Sequence, residues 1–288
     1  MEQWASEIGY WEIHGSLVPG VARPPSRHVV VLSNISHGEQ TSPGACGVTI
    51  RYVARGCENY RIGGKACRLE AGQVLIAPHF SGADCEVRRV DRSGTLGVCT
   101  LVRDTPDELA WLQGPLILGS RDPMLHSVMS RAASELHAAQ RSKMVVAHEL
   151  IAELKRRLPS VAESVLTQTA AAAGAKASTR FEMVRRANLA KAFLDANTDR
   201  HVDLAELAAV TGVSQFRLLA AFQQCFRQTP ANYHRELRLQ LALEEARRRR
   251  VPIAAIAGEF GFADASSFSH AYRRAFGRAP VWSKSAAA

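Results

Sequence analysis

The sequence predicts an α+β chain of two domains, with a β-rich N-terminal half and an all-α C-terminal half. Three observations predict it. Short β-branched and apolar runs fill the first 118 residues, apolar residues recur at helical spacing from residue 122 onward, and the last third repeats itself. A length of 288 residues suits two domains better than one.

His28-Val-Val-Val-Leu32, Cys46-Gly-Val-Thr-Ile-Arg-Tyr-Val53, Gln73-Val-Leu-Ile-Ala77 and Leu96-Gly-Val-Cys-Thr-Leu-Val102 read as strands, punctuated by Gly, Pro and Asp. Such close spacing suits a sandwich or barrel. Gly63-Gly64 marks a hairpin turn between two further short runs. At Asp122-Pro123 the period changes. Met124, Leu125, Val128, Met129 and Leu136, then Val145, Val146, Leu150, Leu154 and Leu158, predict two helices, with Pro159 ending the second. Residues 160–179 are small, polar and alanine-rich, which is a linker composition.

The C-terminal part carries two similar segments, Leu204 to Phe222 and Ile253 to Tyr272. Each shows an apolar-periodic helix, a glycine turn (Gly212, Gly261), a capping residue (Ser214, Asp264) and a second amphipathic helix. A shift of fifty residues aligns Leu218 with Phe268, Phe222 with Tyr272, Phe226 with Phe276 and Pro230 with Pro280. Spaced four apart, the apolar positions predict one buried stripe per helix. Residues 231–249 predict one long helix between the units, whose Tyr233, Leu237, Leu241 and Leu243 can pack on both. A helix-turn-helix unit lays its second helix in the DNA major groove, so two units imply two grooves read by one chain.

Charge agrees with a polyanionic partner. The chain carries +9 overall; residues 179–288 hold 17 Lys+Arg against 10 Asp+Glu, the remainder 19 against 17. The run Arg247–Arg250 flanks the second unit, either as a solvated face or as a phosphate contact. No apolar run reaches the length of a membrane span and the first residues lack a signal-peptide pattern, so a cytoplasmic protein with no membrane partner is expected. Cys46, Cys57, Cys67, Cys85, Cys99 and Cys225 include no CxxC pair; packed thiols are the expectation and a redox pair the alternative.

At these residues the chain resembles the AraC family of bacterial transcription regulators. The resemblance covers residues 180–284 and is carried by Leu204-Ala-Glu-Leu-Ala with Gly212-Val-Ser, Thr229-Pro-Ala-Asn-Tyr, Arg238-Leu-Gln-Leu-Ala-Leu, Ile253-Ala-Ala-Ile-Ala-Gly-Glu-Phe-Gly-Phe, Ser267-Phe-Ser-His-Ala-Tyr-Arg-Arg and Trp282. It implies two helix-turn-helix subdomains on a linker helix, reading two major grooves about one helical turn apart. Base-reading positions then fall on Phe216, Leu219 and Ala220 with Gln215 and Arg217 beside them, and on Ser266, Ser267 and His270 in the second unit, next to Ala265. Arg273 and Arg274 become phosphate ligands. Phe, Leu and Ala depart from the hydrogen-bonding side chains frequent in relatives; they can touch a thymine methyl but cannot bond a purine edge.

More loosely, Tyr60 to His79 resembles the cupin-like sensor domains of the same family. The implied architecture is a cupin-like β-barrel with a helical dimerisation hairpin over residues 1–159, a linker over 160–179 and the tandem DNA-binding domain over 180–288. The implied function is a sequence-specific regulator, an activator by the family's commoner mode, whose N-terminal domain senses a small molecule. Double-stranded DNA, RNA polymerase, an effector and a second copy of the chain are the expected partners. Control by a protein partner or by thiol redox is the alternative.

A cupin can also be a metal enzyme. That needs an HxH…E cluster and a later histidine beyond Gly72-x5-Pro78; no HxH occurs, Ala83 stands at the later position, and His79 lacks partners at ligand spacing. No enzyme, metal or cofactor is therefore expected. Arg51 and Arg55, four apart on one strand, would share a face and suit a carboxylate or phosphate effector, with Tyr60 and His79 nearby.

Overall fold

The computed structural model describes residues 6–16, 26–42, 47–62, 65–78, 83–87, 94–103, 112, 114–170 and 176–280. The chain divides into two compact units, Met1–Ala192 and Phe193–Ala288.

The first unit is sheet-rich. Its strands are β1 (Ser6–Ser16), β2 (Ser26–Ser42), β3 (Val48–Arg55), β4 (Cys57–Ile62), β5 (Lys65–Glu70), β6 (Val74–Pro78), β7 (Ala83–Val87), β8 (Thr95–Val102) and β9 (Leu116–Leu118). They run in the order β5-β4-β7-β2-β8-β3-β6-β9, with β1 parallel beside β2. The four strands legible in the sequence, β2, β8, β3 and β6, are contiguous at the centre. Their Val30, Val98, Ile50 and Val74 are fully buried, which is why their β-branched runs stand out. β4 and β5 form the expected hairpin, with Ile62 opposite Lys65 across a two-residue connection. β1, β7 and β9 escaped the sequence reading; β1 keeps Glu12 and His14 exposed, and β9 has only 3 residues.

The expected closed barrel is not what the described strands form. Their path is open, from β5 at one end to β9 at the other. Instead Leu69 of β5 packs against Val53, Leu75, Ala77 and Ile117 from β3, β6 and β9. Side-chain burial, rather than a hydrogen-bonded seam, joins the two ends.

Two helices follow, α1 (His126–Ala138) and α2 (Lys143–Ala170). The Asp122 carboxylate accepts from the backbone N–H groups of Met124 and Leu125 and so starts the α1 turn. The sequence expectation failed at Pro159, which does not end α2. Leu150, Leu154, Leu158, Val161, Ala162 and Val165 form one buried stripe across it, and that packing outweighs the missing hydrogen bond. Residues 160–170, read as linker from composition, are therefore helical.

In the second unit the end of α3 (Ala177–Ala196) leads into α4 (Leu204–Thr211), α5 (Gln215–Phe226), α6 (Pro230–Arg249), two short 3-10 turns at Ile253–Ala255 and Ala257–Phe260, and α7 (Ala265–Phe276). The 3-10 turns correct the expectation of a helix opening the second repeat. Asp203 caps α4 by accepting from the Glu206 N–H, whereas Pro252 offers no side-chain cap and Gly258 lowers helical propensity mid-segment. Among the described residues no single helix is long and apolar enough to cross a membrane.

Candidate nucleic-acid interface

The two repeats build their second helices by the same devices. Gly212 and Gly261 adopt left-handed φ values of 66° and 69°, reversing the chain after the first element. Ser214 then accepts from the Arg217 N–H and Asp264 from the Ser267 N–H, starting α5 and α7. That hydrogen bond also holds the Asp264 carboxyl below its usual range. α4 and α5 meet at 89°, a helix-turn-helix angle.

Each second helix buries one stripe and exposes the other. In α5 Leu218, Ala221 and Phe222 are buried, and the Phe222 ring lies 5.9 Å from that of Tyr233 on α6. In α7 Phe268 and Tyr272 are buried in a core with Leu239, Ala242, Leu243, Ala246, Ile253 and Ile256. α6 is thus a spine shared by both cores. Its Tyr233 faces the first and its Leu243 the second, as the repeat implied, while Leu241 is only half-buried.

The opposite faces are open. Gln215, Phe216, Arg217 and Ala220 of α5 are exposed, with Leu219 half-buried; Phe216 is 82% exposed. Ser266, Ser267, His270, Arg273 and Arg274 of α7 are exposed, and Ala265 is half-buried. These are the positions named from the sequence, and the structure gathers each set on one outward helix face. Among the described residues Arg217, Arg273 and Arg274 make no ion pair, leaving their charge open to a polyanion. Arg248 and Arg249 differ, being held by Glu245, and Arg249 also by Glu259 at 2.8 Å. Hydrogen bonds from Arg248, then Arg249, lower the Glu245 carboxyl to about 2. Arg248 and Arg249 of the run are thus internally neutralised.

Two residues of this unit were not singled out from sequence. His234, 2% exposed, donates from Nε2 to the Asn197 carbonyl at 2.9 Å, and burial lowers its pKa to about 4. Arg238, 5% exposed, sets its guanidinium 4.8 Å over the Phe262 ring. The signal was present: a polar pair four apart on a helix shares a face, and here that face is the inner one.

Of the expected effector residues of the first unit, Arg51 and Tyr60 converge on Glu58, while Arg55 stands apart. Arg51 is buried and ion-paired with buried Glu58; its Nε donates to Glu58 Oε2 at 2.7 Å and its Nη2 to Ser33 Oγ at 2.7 Å. Tyr60 also donates to Glu58. Burial opposes both charges, but the Coulomb attraction and hydrogen bonds within the pair outweigh it, holding Arg51 above and Glu58 below their ordinary ranges. Arg55 is exposed, because the β3–β8 register shifts between Val53 and Arg55. The convergent arginine pair is therefore corrected: a bulge cancels the spacing rule, and Arg51 already has its carboxylate. His79 lies outside the described residues.

A helix-turn-helix domain family matches residues 207–281. The transcriptional regulator LumQ of Photobacterium leiognathi is 32% identical over 89 residues, 31% of this chain and 36% of LumQ. The regulatory protein SoxS of Escherichia coli K12 is 34% identical over 89 residues, 31% of this chain and 83% of SoxS. An AraC-like transcription regulator of Streptomyces antibioticus is 33% identical over 88 residues, 31% of this chain and 29% of that protein. The chain thus spans about a third of LumQ.

Proposed function

This chain belongs to the AraC family of DNA-binding transcription regulators, and on that premise we propose that it is a sequence-specific activator whose N-terminal unit senses a small molecule. One observation carries the DNA-reading assignment: two helices of matching sequence register each turn an exposed face outward, with Arg217, Arg273 and Arg274 unpaired among the described residues. In this reading α5 and α7 occupy successive major grooves, and Arg273 and Arg274 hold phosphates.

The N-terminal unit has its own core, as a separate sensing module requires. The DNA-binding portion begins near residue 180, following the motif boundary. Pairing of two copies is assigned to the α1–α2 hairpin, where Met144 and Val145 remain exposed on α2. Metabolite control is preferred to thiol control at Cys225, since burial pushes that thiol up to about 12 and keeps it protonated at neutral pH.

The test is selection of bound duplexes from a random pool by the full-length protein. Two short boxes about one helical turn apart are the expected result. A single box, or no enrichment, would overturn tandem reading. Thermal stabilisation of the full chain by fractions of a small-metabolite extract tests sensing; no shift with any fraction counts against it.

A further inference from the structure

The fifty-residue register places unlike chemistry at like positions. Phe216 of α5 corresponds to Ser266 of α7, and Ala220 corresponds to His270. Both helices start from a side-chain cap and bury equivalent stripes, so these outward positions are structurally matched. α7 offers hydroxyls and an imidazole to a groove. α5 offers a phenyl ring, a half-buried Leu219 and the methyl of Ala220. Phe216, at 82% exposure, adds nothing to the core, and an apolar ring left in water on a DNA-facing helix requires an apolar partner to gain from binding.

The major groove offers one such partner at the base edges. Only thymine among the standard bases presents a methyl group there, while every other edge presents hydrogen-bonding groups that Phe, Leu and Ala cannot satisfy. We infer that the first helix-turn-helix unit selects thymine through its 5-methyl group, with Phe216 as the methyl-reading side chain. The inference rests on the DNA-regulator reading above. It makes the two half-sites chemically unequal: one box read by apolar contact, the other by polar contact. Unpaired Arg217 beside Phe216 supplies sequence-independent attraction to the backbone.

Replacing thymine by uracil isolates the methyl group, since base pairing is unchanged. The duplex selected by the full-length protein is remade with uracil for thymine in one box at a time, and binding is measured at fixed salt. One box should lose about three- to fivefold in affinity per methyl contacted, and the other about twofold or less. Phe216→Ala should bind the thymine and uracil forms of the sensitive box alike, and Phe216→Leu should keep part of the difference; circular dichroism checks that both remain folded. Equal binding of thymine and uracil forms by the unsubstituted protein would overturn the inference while leaving the regulator reading intact. So would an undiminished methyl dependence in Phe216→Ala. Failure to select any duplex would overturn both.

Discussion

The guanidinium of Arg238 lies 4.8 Å above the Phe262 ring, and its Nη1 stands 2.8 Å from where a Cβ on Gly261 would project. Arg238 belongs to α6, and Gly261-Phe262 to the turn that aims α7. The same projected Cβ would lie 2.9 Å from the Arg200 Cα and 3.1 Å from the Asp199 carbonyl oxygen, in the segment before α4. The turn that aims α7 thus leaves no room for a side chain between Arg238 of α6 and the segment that leads into α4.

Arg238 should act through its stem and ring contact more than through its charge. Its Nε and Nη1 have no acceptor, and burial lowers its pKa. Arg238→Ala should lose about 2–3 kcal/mol of stability, whereas Arg238→Met should stay within about 1 kcal/mol of the parent. Urea unfolding measures both; equal losses would show that the charge itself holds the turn.

His234 should make the protein sensitive to acid. Its folded pKa of about 4 lies below the ordinary 6.5, so the unfolded chain binds the extra proton between those values. Its contribution is fully present above pH ~6.5 and declines as pH falls towards ~4, by up to about 3 kcal/mol. Urea midpoints at pH 7.5, 5.5 and 4.5 should drop accordingly, and His234→Gln should flatten the part of that slope lying between the two pKa values.

The Arg51–Glu58 pair should behave as a buried ion pair and not as a ligand site. Arg51→Met or Glu58→Leu alone should cost about 3–5 kcal/mol, because each strands a buried charge. The double variant should recover most of that loss. Additive losses in the four-protein cycle would contradict the pairing.

Arg273 and His270 should separate in DNA binding. Arg273→Ala should weaken binding to all duplexes alike and reduce the salt slope by about one. His270→Ala should instead relax preference at one or two positions of one box. Uniform weakening by His270→Ala would remove it from the base readers.

Local chemistry made much of this protein legible before folding. The central strands announced themselves through β-branched runs, and the tandem units through glycine, cap and apolar residues at matched offsets. The outward sets on α5 and α7 followed from that same period, since residues between the buried positions of a helix must face out. Three features waited for the tertiary structure. α2 continues through Pro159 because distant side chains bury its stripe. The sheet ends meet by packing of Leu69 on Val53 and Leu75 rather than by strand pairing. Arg51 turns inward to Glu58 while a bulge leaves Arg55 exposed. Periodicity reports forces acting over one turn or one strand pair, so it reached the repeats and the central strands. Burial, pairing and register at these three places depend on contacts that no single helical turn or strand pair contains, and only the assembled core could decide them.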